Sequence, residues 1–226
     1  MSLKSFLLDL IFPIECLGCR QEGSWLCAAC FKKLKFNDSY KKYNLVIPDL
    51  NEVFIVGNYD DPLLATTIKK FKYDFILALG PILARFLIMF WQGIISTQST
   101  LLFHKNKSGE ELVPLLIPIP LSKKRERWRG FNQTEILARE FSAAFGYPLN
   151  LQLKRLKHRS PQAKLNENER SQNIQEVFVW TGEDLINQII ILIDDVVTTG
   201  ATLNEAARTL RAAGATKVYG LVLAKG

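Results

Sequence analysis

The sequence lacks the marks of an exported or membrane-spanning protein. An apolar run at residues 6–12 is interrupted by an aspartate and has no small-residue cleavage site after it, so we do not expect a secretory signal. The longest apolar stretch, residues 75–95, contains Pro81 and Arg85, and an arginine at the membrane centre costs about 2.5–3.5 kcal/mol. A membrane span is the alternative, but we predict a cytoplasmic protein in which Pro81 breaks the stretch and residues 82–91 form a buried helix.

The chain also lacks the composition of a disordered, collagen-like or disulfide-dense protein. Hydrophobic residues make up 48% of its 226 residues and charged residues 23%, which is ordinary for a globular domain. No internal repeat is evident. Lysine and arginine number 29 against 22 aspartates and glutamates. The resulting net charge of +7 favours anionic partners such as phosphates, nucleic acid or anionic lipid without choosing among them.

Only four cysteines are present, and they form two C-x-x-C pairs within residues 16–30. Two such pairs can turn four thiolates toward one Zn²⁺ ion, the usual number in a structural site. Disulfides are the alternative, but a chain without an export signal is expected in a reducing compartment. A thioredoxin-like site fits less well, because it uses one C-x-x-C beside a βαβ unit. We predict a structural zinc site with the ligands Cys16, Cys19, Cys27 and Cys30.

Strand-like and helix-like segments alternate along the rest of the chain, which predicts an α/β fold with a parallel sheet flanked by helices. Asp61 and Pro62 are typical of the cap and first residue of a helix. A second helix is predicted to start near Asn132. We divide the chain into residues 1–45, an N-terminal helix and a four-cysteine zinc finger, and residues 46–226, the α/β domain. Strands are predicted at residues 53–56, 115–117, 189–193 and 218–223.

A strongly basic segment, residues 122–130, precedes the helix at Asn132 and is predicted to be a loop. Cations interleaved with an aromatic ring can bind single-stranded nucleic acid through phosphate contacts and base stacking. The same arginines also suit a diphosphate, and the aromatic rings could equally belong to the core. The candidate contacts to nucleic acid are Lys123, Lys124, Arg125 and Trp128.

The most informative segment is IIILIDDVVTTGAT, residues 189–202. A run of five aliphatic residues predicts a central parallel strand buried on both faces. Asp194 and Asp195 follow at its carboxyl end, where open α/β sheets bind ligands. Hydroxyl side chains and Gly200 then open a helix, whose free N–H groups suit a phosphate monoester, while the carboxylates suit ribose hydroxyls and a nearby metal. The alternative is a capped helix without a ligand. Neither the Walker pattern nor G-x-G-x-x-G is present.

Taken together, these motifs resemble the ComF family, type I phosphoribosyltransferase-like proteins with an N-terminal zinc finger. The resemblance rests on the paired cysteines, KKFKY at residues 69–73, IPIPLS followed by RGFNQ, and DDVVTTGAT. It also rests on Arg155, Gln162, Arg170 and Asn173 with Phe178. It implies a site for phosphoribosyl diphosphate (PRPP) with Mg²⁺. The ribose and 5′-phosphate would be bound by Asp194, Asp195, Thr198, Thr199, Gly200, Ala201 and Thr202. The diphosphate and hood loop would comprise Pro120, Leu121, Arg127, Arg129, Gly130, Asn132 and Gln133.

The resemblance also implies a function in handling single-stranded DNA during DNA uptake and natural transformation, with a helicase-like ATPase as partner. The alternative is an active, Mg²⁺-dependent phosphoribosyltransferase with an unknown acceptor. Purine-salvage transferases usually carry an aspartate where Thr198 stands, and that acid handles the proton of the base. Its absence argues against hypoxanthine or guanine chemistry.

Overall fold

The computed structural model describes residues 13–37, 45–102, 112–156 and 178–226, with the side chains of residues 98–102 excepted, and the predicted N-terminal helix lies outside these ranges. The four predicted strands are present and form one parallel sheet, so the predicted fold class is confirmed. A separate antiparallel pair is formed by two short strands. The strands are β1 (Glu52–Asn58), β2 (Leu115–Pro118), β3 (Leu153–Arg155), β4 (Phe178–Trp180), β5 (Ile189–Val197) and β6 (Lys217–Lys225).

The order of the parallel strands is β1-β6-β5-β2, which places β5 inside the sheet. Both faces of β5 are covered, as its aliphatic run predicts. Ile189, Ile191 and Ile193 face one hydrophobic core, and Ile190 and Leu192 face the other. The strand extends beyond the predicted range to Val197, so the two aspartates lie within its last part.

Helices cover the two faces of the sheet. Helices α2, α3 and α5 pack on the first face, whereas α6 and the β3–β4 pair pack on the second. Asp61 caps α2 as predicted, because its Oδ1 accepts hydrogen bonds from the backbone N–H groups of Leu63 (2.9 Å) and Leu64 (3.1 Å). The helices are α1 (Ala28–Phe31), α2 (Pro62–Tyr73), α3 (Leu79–Leu102), α4 (Lys123–Arg129), α5 (Gln133–Phe145) and α6 (Ala201–Ala212).

Helix α3 is longer than predicted, and Pro81 does not break it. The helix begins at Leu79, so Pro81 lies in the first turn. A proline is tolerated there because the N–H groups of the first turn have no helical partners in any case. Within the described residues, the stretch Leu79–Thr97 is long and apolar enough to cross a membrane, and half of it is buried inside the protein.

The basic segment predicted as a loop is instead the helix α4, and that prediction is wrong. Ser122 caps this helix, since its Oγ accepts a hydrogen bond from the backbone N–H of Arg125 (3.3 Å). Gly130 ends it in the left-handed conformation, with φ of 78°. Lysine, arginine and glutamate have high helix propensity, so a capped segment without internal glycine or proline becomes helical despite its charge.

Residues 13–37 pack against the first face of the sheet. Phe31 meets Phe86 edge-on at 6.4 Å, and Phe36 stacks on the same ring at 4.5 Å. Asn37 is bonded to strand β1: its backbone N–H donates to the carbonyl of Val56 (2.8 Å). Leu26 and Leu34 are buried in the same core as helix α3. The cysteine-containing segment therefore shares its core with the α/β domain.

Candidate functional site

The four cysteines form one cluster in which all sulfur atoms lie within 4.8 Å of one another. The sulfurs of Cys19 and Cys27 are 3.7 Å apart. Zn–S bonds of about 2.3 Å in a tetrahedron place sulfurs roughly 3.8 Å apart, so the cluster fits Zn²⁺. The predicted clustering of the four cysteines is confirmed, and the cluster could bind a metal such as zinc.

The electrostatics of the cluster also favour a cation. Burial raises the pKa of Cys30 to about 12, and the neighbouring sulfurs add to this effect. Burial also disfavours the Cys16 thiolate, but backbone N–H groups, including that of Cys27 at 3.3 Å, outweigh it and bring its pKa to about 6. Four thiolates in one pocket repel each other, and a bound metal ion removes that repulsion.

The paired carboxylates lie near the carboxyl end of β5. The backbone N–H of Asp195 donates to Asp194 Oδ1 at 2.8 Å, which holds the Asp194 side chain against the strand. Burial raises the pKa of Asp194 to about 7, and the adjacent Asp195 carboxylate contributes to this rise. The Asp195 side chain is buried and forms an ion pair with Lys72, whose Nζ lies 2.7 Å from its Oδ1.

The start of α6 supplies free backbone donors. Gly200 is its cap, with φ of 83°, and no side chain caps the helix. The N–H of Ala201 lies 3.4 Å from Thr199 Oγ1, a long and weak hydrogen bond. Thr198 and Thr199 are exposed beside these groups. The helix therefore begins where the sequence predicts it. N–H groups without helical partners at a helix start attract phosphate, and phosphate binding here stays a prediction.

A cavity of about 480 Å³ joins several of these groups. It is lined by Asp194, Asp195 and Thr202 from β5 and α6, and by Arg125, Trp128 and Arg129 from α4. The structure thus brings together residues from all three predicted ligand sets: ribose and phosphate, hood, and nucleic acid. The remaining lining residues are Lys72, Tyr73, Ile119, Leu121, Thr134, Arg155 and Val196.

Arg129 is the hood residue placed most directly at this cavity. Its guanidinium is buried and donates to Gln133 Oε1, and it lies 5.5 Å from the centre of the Tyr73 ring. Burial lowers its pKa, while the nearby Asp195 carboxylate favours the charged form. Among the described residues, nothing accepts a hydrogen bond from its Nε. A buried cation with an unused donor is suited to an anionic ligand.

The other predicted hood residues form hydrogen bonds to the backbone, are buried, or line a second cavity. Asn132 caps α5 and donates to the carbonyl of Ile119 (3.2 Å), and Gln133 is fully buried. The exposed Arg127 donates from its Nε to the carbonyl of Lys123 (3.3 Å). Pro120, Lys123 and Asn132 line a second cavity of about 550 Å³, which shares Leu121 and Arg155 with the first. Lys124 is exposed on α4.

The sequence assigns no site function to three residues that line the first cavity: Lys72, Tyr73 and Arg155. Arg155 contributes only to the family resemblance, and Gln162, Arg170 and Asn173 lie outside the described residues. The guanidinium of Arg155 lies 5.3 Å from the centre of the Phe178 ring, and burial lowers its pKa. Lys72 and Tyr73 belong to KKFKY, a motif that supports the family resemblance but does not indicate where these residues lie in the fold. Their position becomes visible only in the folded structure, where the end of α2 lies beside the end of β5.

A parallel sheet with paired aspartates near the end of a central strand, followed by a turn rich in hydroxyl groups, is typical of a phosphoribosyltransferase-like domain. Residues 129–226 match a family model described as "Phosphoribosyl transferase domain". This match contains β5, the start of α6 and Arg129.

Comparison with curated proteins extends the similarity to the N-terminal part of the chain. "Competence protein F" of Haemophilus influenzae is 30% identical over 217 residues, which cover 92% of this chain and 90% of that protein. "Competence protein ComFC" of Bacillus subtilis is 43% identical over 96 residues, 42% of this chain and 38% of that protein. "DNA utilization protein YhgH" of Salmonella typhimurium is 26% identical over 76% of this chain and 70% of that protein. The chain belongs to the ComF family.

Proposed function

We propose that the chain binds PRPP, or a related phosphosugar, with Mg²⁺ in the 480 Å³ cavity beside β5. The observation that carries this proposal is the combination of groups around one space. Asp194 and Asp195 line this space and offer acceptors for ribose hydroxyls. The turn from Thr198 to Thr202, of which Thr202 lines the cavity, offers N–H and hydroxyl donors for a 5′-phosphate. Arg129, with Arg125 and Arg155 beside it, offers cations for a diphosphate.

Mg²⁺, when bound with PRPP, would neutralise charge on the diphosphate oxygens. The chain's own residues would do the rest of the binding. The carboxylates would orient the ribose, and the N–H groups of α6 would hold the 5′-phosphate. The arginines would hold the diphosphate through charge-assisted hydrogen bonds.

A thermal melt with and without ligand tests this proposal. A ligand that binds only the native state adds RT ln(1 + [L]/Kd), about 2.7 kcal/mol at a hundredfold excess over Kd. For a domain of this size, the melting temperature should rise by about 5–10 °C. PRPP with Mg²⁺ should give this rise and ribose-5-phosphate a smaller one. No rise with either compound would refute a phosphosugar site.

We also propose that the chain assists the cytoplasmic handling of single-stranded DNA during DNA uptake, alongside a helicase-like ATPase. An exposed aromatic cluster supports this part: Trp128 meets Phe75 edge-on at 5.1 Å and lies 6.5 Å from Tyr73. The basic helix α4 contains Trp128 itself. Exposed rings beside cations are the means by which proteins bind single strands without sequence preference. The names of the relatives, which refer to competence and DNA utilization, agree with this function.

Salt-dependent binding to labelled oligonucleotides tests the DNA proposal. For single strands the slope of log K against log salt is about −0.7 per neutralised phosphate. Replacing Lys123, Lys124 and Arg125 by alanine should flatten the slope and weaken all sequences alike. The double variant R139A/R208A, which removes two exposed cations elsewhere on the surface, should retain the slope of the parent. A slope near zero in the parent would refute direct DNA binding.

A second candidate function is phosphoribosyl transfer to an acceptor. The exposed rings of Tyr73 and Trp128 line the same cavity as the paired carboxylates, which leaves a surface for a planar acceptor. Release of pyrophosphate that depends on an added acceptor would establish transfer. PRPP binding without such release would favour the DNA-handling function.

A further inference from the structure

Lys72 forms an ion pair with Asp195 inside the cavity, and this pair differs from the surface pairs of the protein. Its Nζ–Oδ1 distance is 2.7 Å, and the two side chains are 14% and 12% exposed. On the same helix, Lys70 pairs with Asp74, but these side chains are 38% and 49% exposed. Exposed pairs contribute little to stability. The Lys72 pair is largely withdrawn from water, which carries a desolvation cost.

Helix α2 has anchors other than this ion pair. That helix is anchored by Leu64, Ile68 and Phe71, which are fully buried in the core. Lys72 follows the last of them and turns toward the cavity instead, where both partners of the ion pair are lining residues. A costly pair at the wall of a ligand cavity indicates a function in binding.

The pair also bears on where a metal ion could bind. Adjacent carboxylates commonly supply oxygen ligands to Mg²⁺. Here Oδ1 of Asp195 contacts an ammonium group, and Oδ1 of Asp194 accepts the backbone N–H of Asp195. The charge of Asp195 is therefore already balanced by a cation that belongs to the chain. A lysine ammonium is compact and has three donors, so its contact with Asp195 leaves donors for a ligand.

We propose that Lys72 is a ligand-positioning cation that links Asp195 to the diphosphate of the bound phosphosugar and takes the place of a protein-bound Mg²⁺ ion there. This inference rests on the proposed phosphosugar function. It implies that the protein binds PRPP without Mg²⁺, more weakly but measurably. It also implies that Lys72 matters most when Mg²⁺ is absent.

Calorimetric titration of PRPP tests this inference in buffer with saturating Mg²⁺ and in buffer depleted of it. Depletion is applied to the buffer alone, so that the cysteine cluster keeps its metal. The parent should lose less than about tenfold in affinity on depletion. Lys72→Met has a side chain of similar length without the charge. Without Mg²⁺, its affinity for PRPP should be about 10- to 100-fold lower than that of the parent, as expected for loss of a charge-assisted hydrogen bond. With saturating Mg²⁺, the difference in affinity from the parent should be clearly smaller.

Two further variants complete the test. Lys70→Met removes the exposed lysine on the same helix and should bind as the parent does under both conditions. Lys72→Arg keeps the charge and should restore most of the metal-free affinity. Equal losses for Lys72→Met with and without Mg²⁺, or no loss in either buffer, would overturn the inference while leaving the phosphosugar site in place. Absence of binding by the parent in saturating Mg²⁺ would overturn both. A melt without ligand shows whether each variant is folded.

Discussion

The guanidinium of Arg129 lies 5.5 Å from the centre of the Tyr73 ring, so α4 and the end of α2 meet at the cavity. This contact holds a buried cation beside Asp195 without using all of its donors. A cation–π contact of this kind fixes the position of an arginine and leaves N–H groups for an anion.

Arg129→Ala should therefore weaken PRPP more than ribose-5-phosphate, because only PRPP carries the diphosphate. We expect a loss of about 10- to 100-fold for PRPP, the value of a charge-assisted hydrogen bond, and less than about threefold for ribose-5-phosphate. Calorimetry with both ligands measures the difference. Arg139→Ala, which removes an exposed arginine paired with Glu135, is the control and should bind both ligands normally. Equal losses for the two ligands in Arg129→Ala would show that this arginine does not contact the diphosphate.

Asp194→Asn should stabilise the free protein at high pH and weaken ligand binding. Burial and the adjacent Asp195 carboxylate raise the pKa of Asp194 to about 7, from an ordinary value of 3.8. The folded protein therefore binds a proton there that the unfolded chain has released. Stability falls as the pH rises through this interval and levels off above a pH of about 7. Asparagine resembles the protonated acid, so the gain in melting temperature should be several degrees larger at a pH of about 8 than at about 5.

The exposed Asp184 provides a control for the substitution itself. Asp184→Asn should leave the affinity for PRPP unchanged. In Asp194→Asn, PRPP should bind more weakly at the same pH at which the free protein is more stable. A uniform effect of Asp194→Asn on stability across pH would contradict the raised pKa.

Gly200→Ala should destabilise the protein and weaken PRPP and ribose-5-phosphate alike. Gly200 has φ of 83°, and an added Cβ would lie 2.4 Å from Ile47 Cδ1. Strain of this kind costs about 1–3 kcal/mol and displaces the N–H groups that start α6. Gly93→Ala is the matched control, because Gly93 lies within helix α3 with open space around it. Gly93→Ala should gain up to about 1 kcal/mol of stability. The melting temperatures of Gly200→Ala and Gly93→Ala should therefore move in opposite directions.

Cys27→Ser should lose the metal and lower the stability of the whole α/β domain. Cys16, Cys30 and Phe31 belong to the same core as helix α3, so the cluster and the sheet should unfold together. We expect a loss on the order of 4 kcal/mol in a single calorimetric transition, and elemental analysis should find one zinc per parent chain. Lys33→Ala changes an exposed residue next to the cluster and should keep both the zinc and the stability of the parent. An unchanged transition in Cys27→Ser would contradict this coupling.

The sheet and the aspartate pair are predictable from sequence because they depend on local patterns. The aliphatic run at residues 189–193 is short and rich in β-branched residues, as is typical of a strand buried on both faces. Asp61 before Pro62 is typical of a helix start. The basic composition of residues 122–130 wrongly predicts a loop, because Ser122 and Gly130 cap a helix there.

The position of Lys72 was not predictable from the sequence. Lys72 and Asp195 are separated by more than half of the chain, and no pattern of spacing connects them. Their contact depends on how α2 packs on the sheet and on where β5 ends. Pro81 is a similar case. A proline breaks a helix in its interior but is tolerated in the first turn, so its effect depends on where the helix begins.

A crystal structure of the protein with PRPP and Mg²⁺ would show directly whether the cavity beside β5 is a phosphosugar site. We expect density for one PRPP molecule in the 480 Å³ cavity. Its 5′-phosphate should lie on the turn at Thr198–Thr202, its ribose hydroxyls on Asp194 and Asp195, and its diphosphate beside Arg129. PRPP bound at a different surface, or an empty cavity at a PRPP concentration that saturates the protein in solution, would contradict the account.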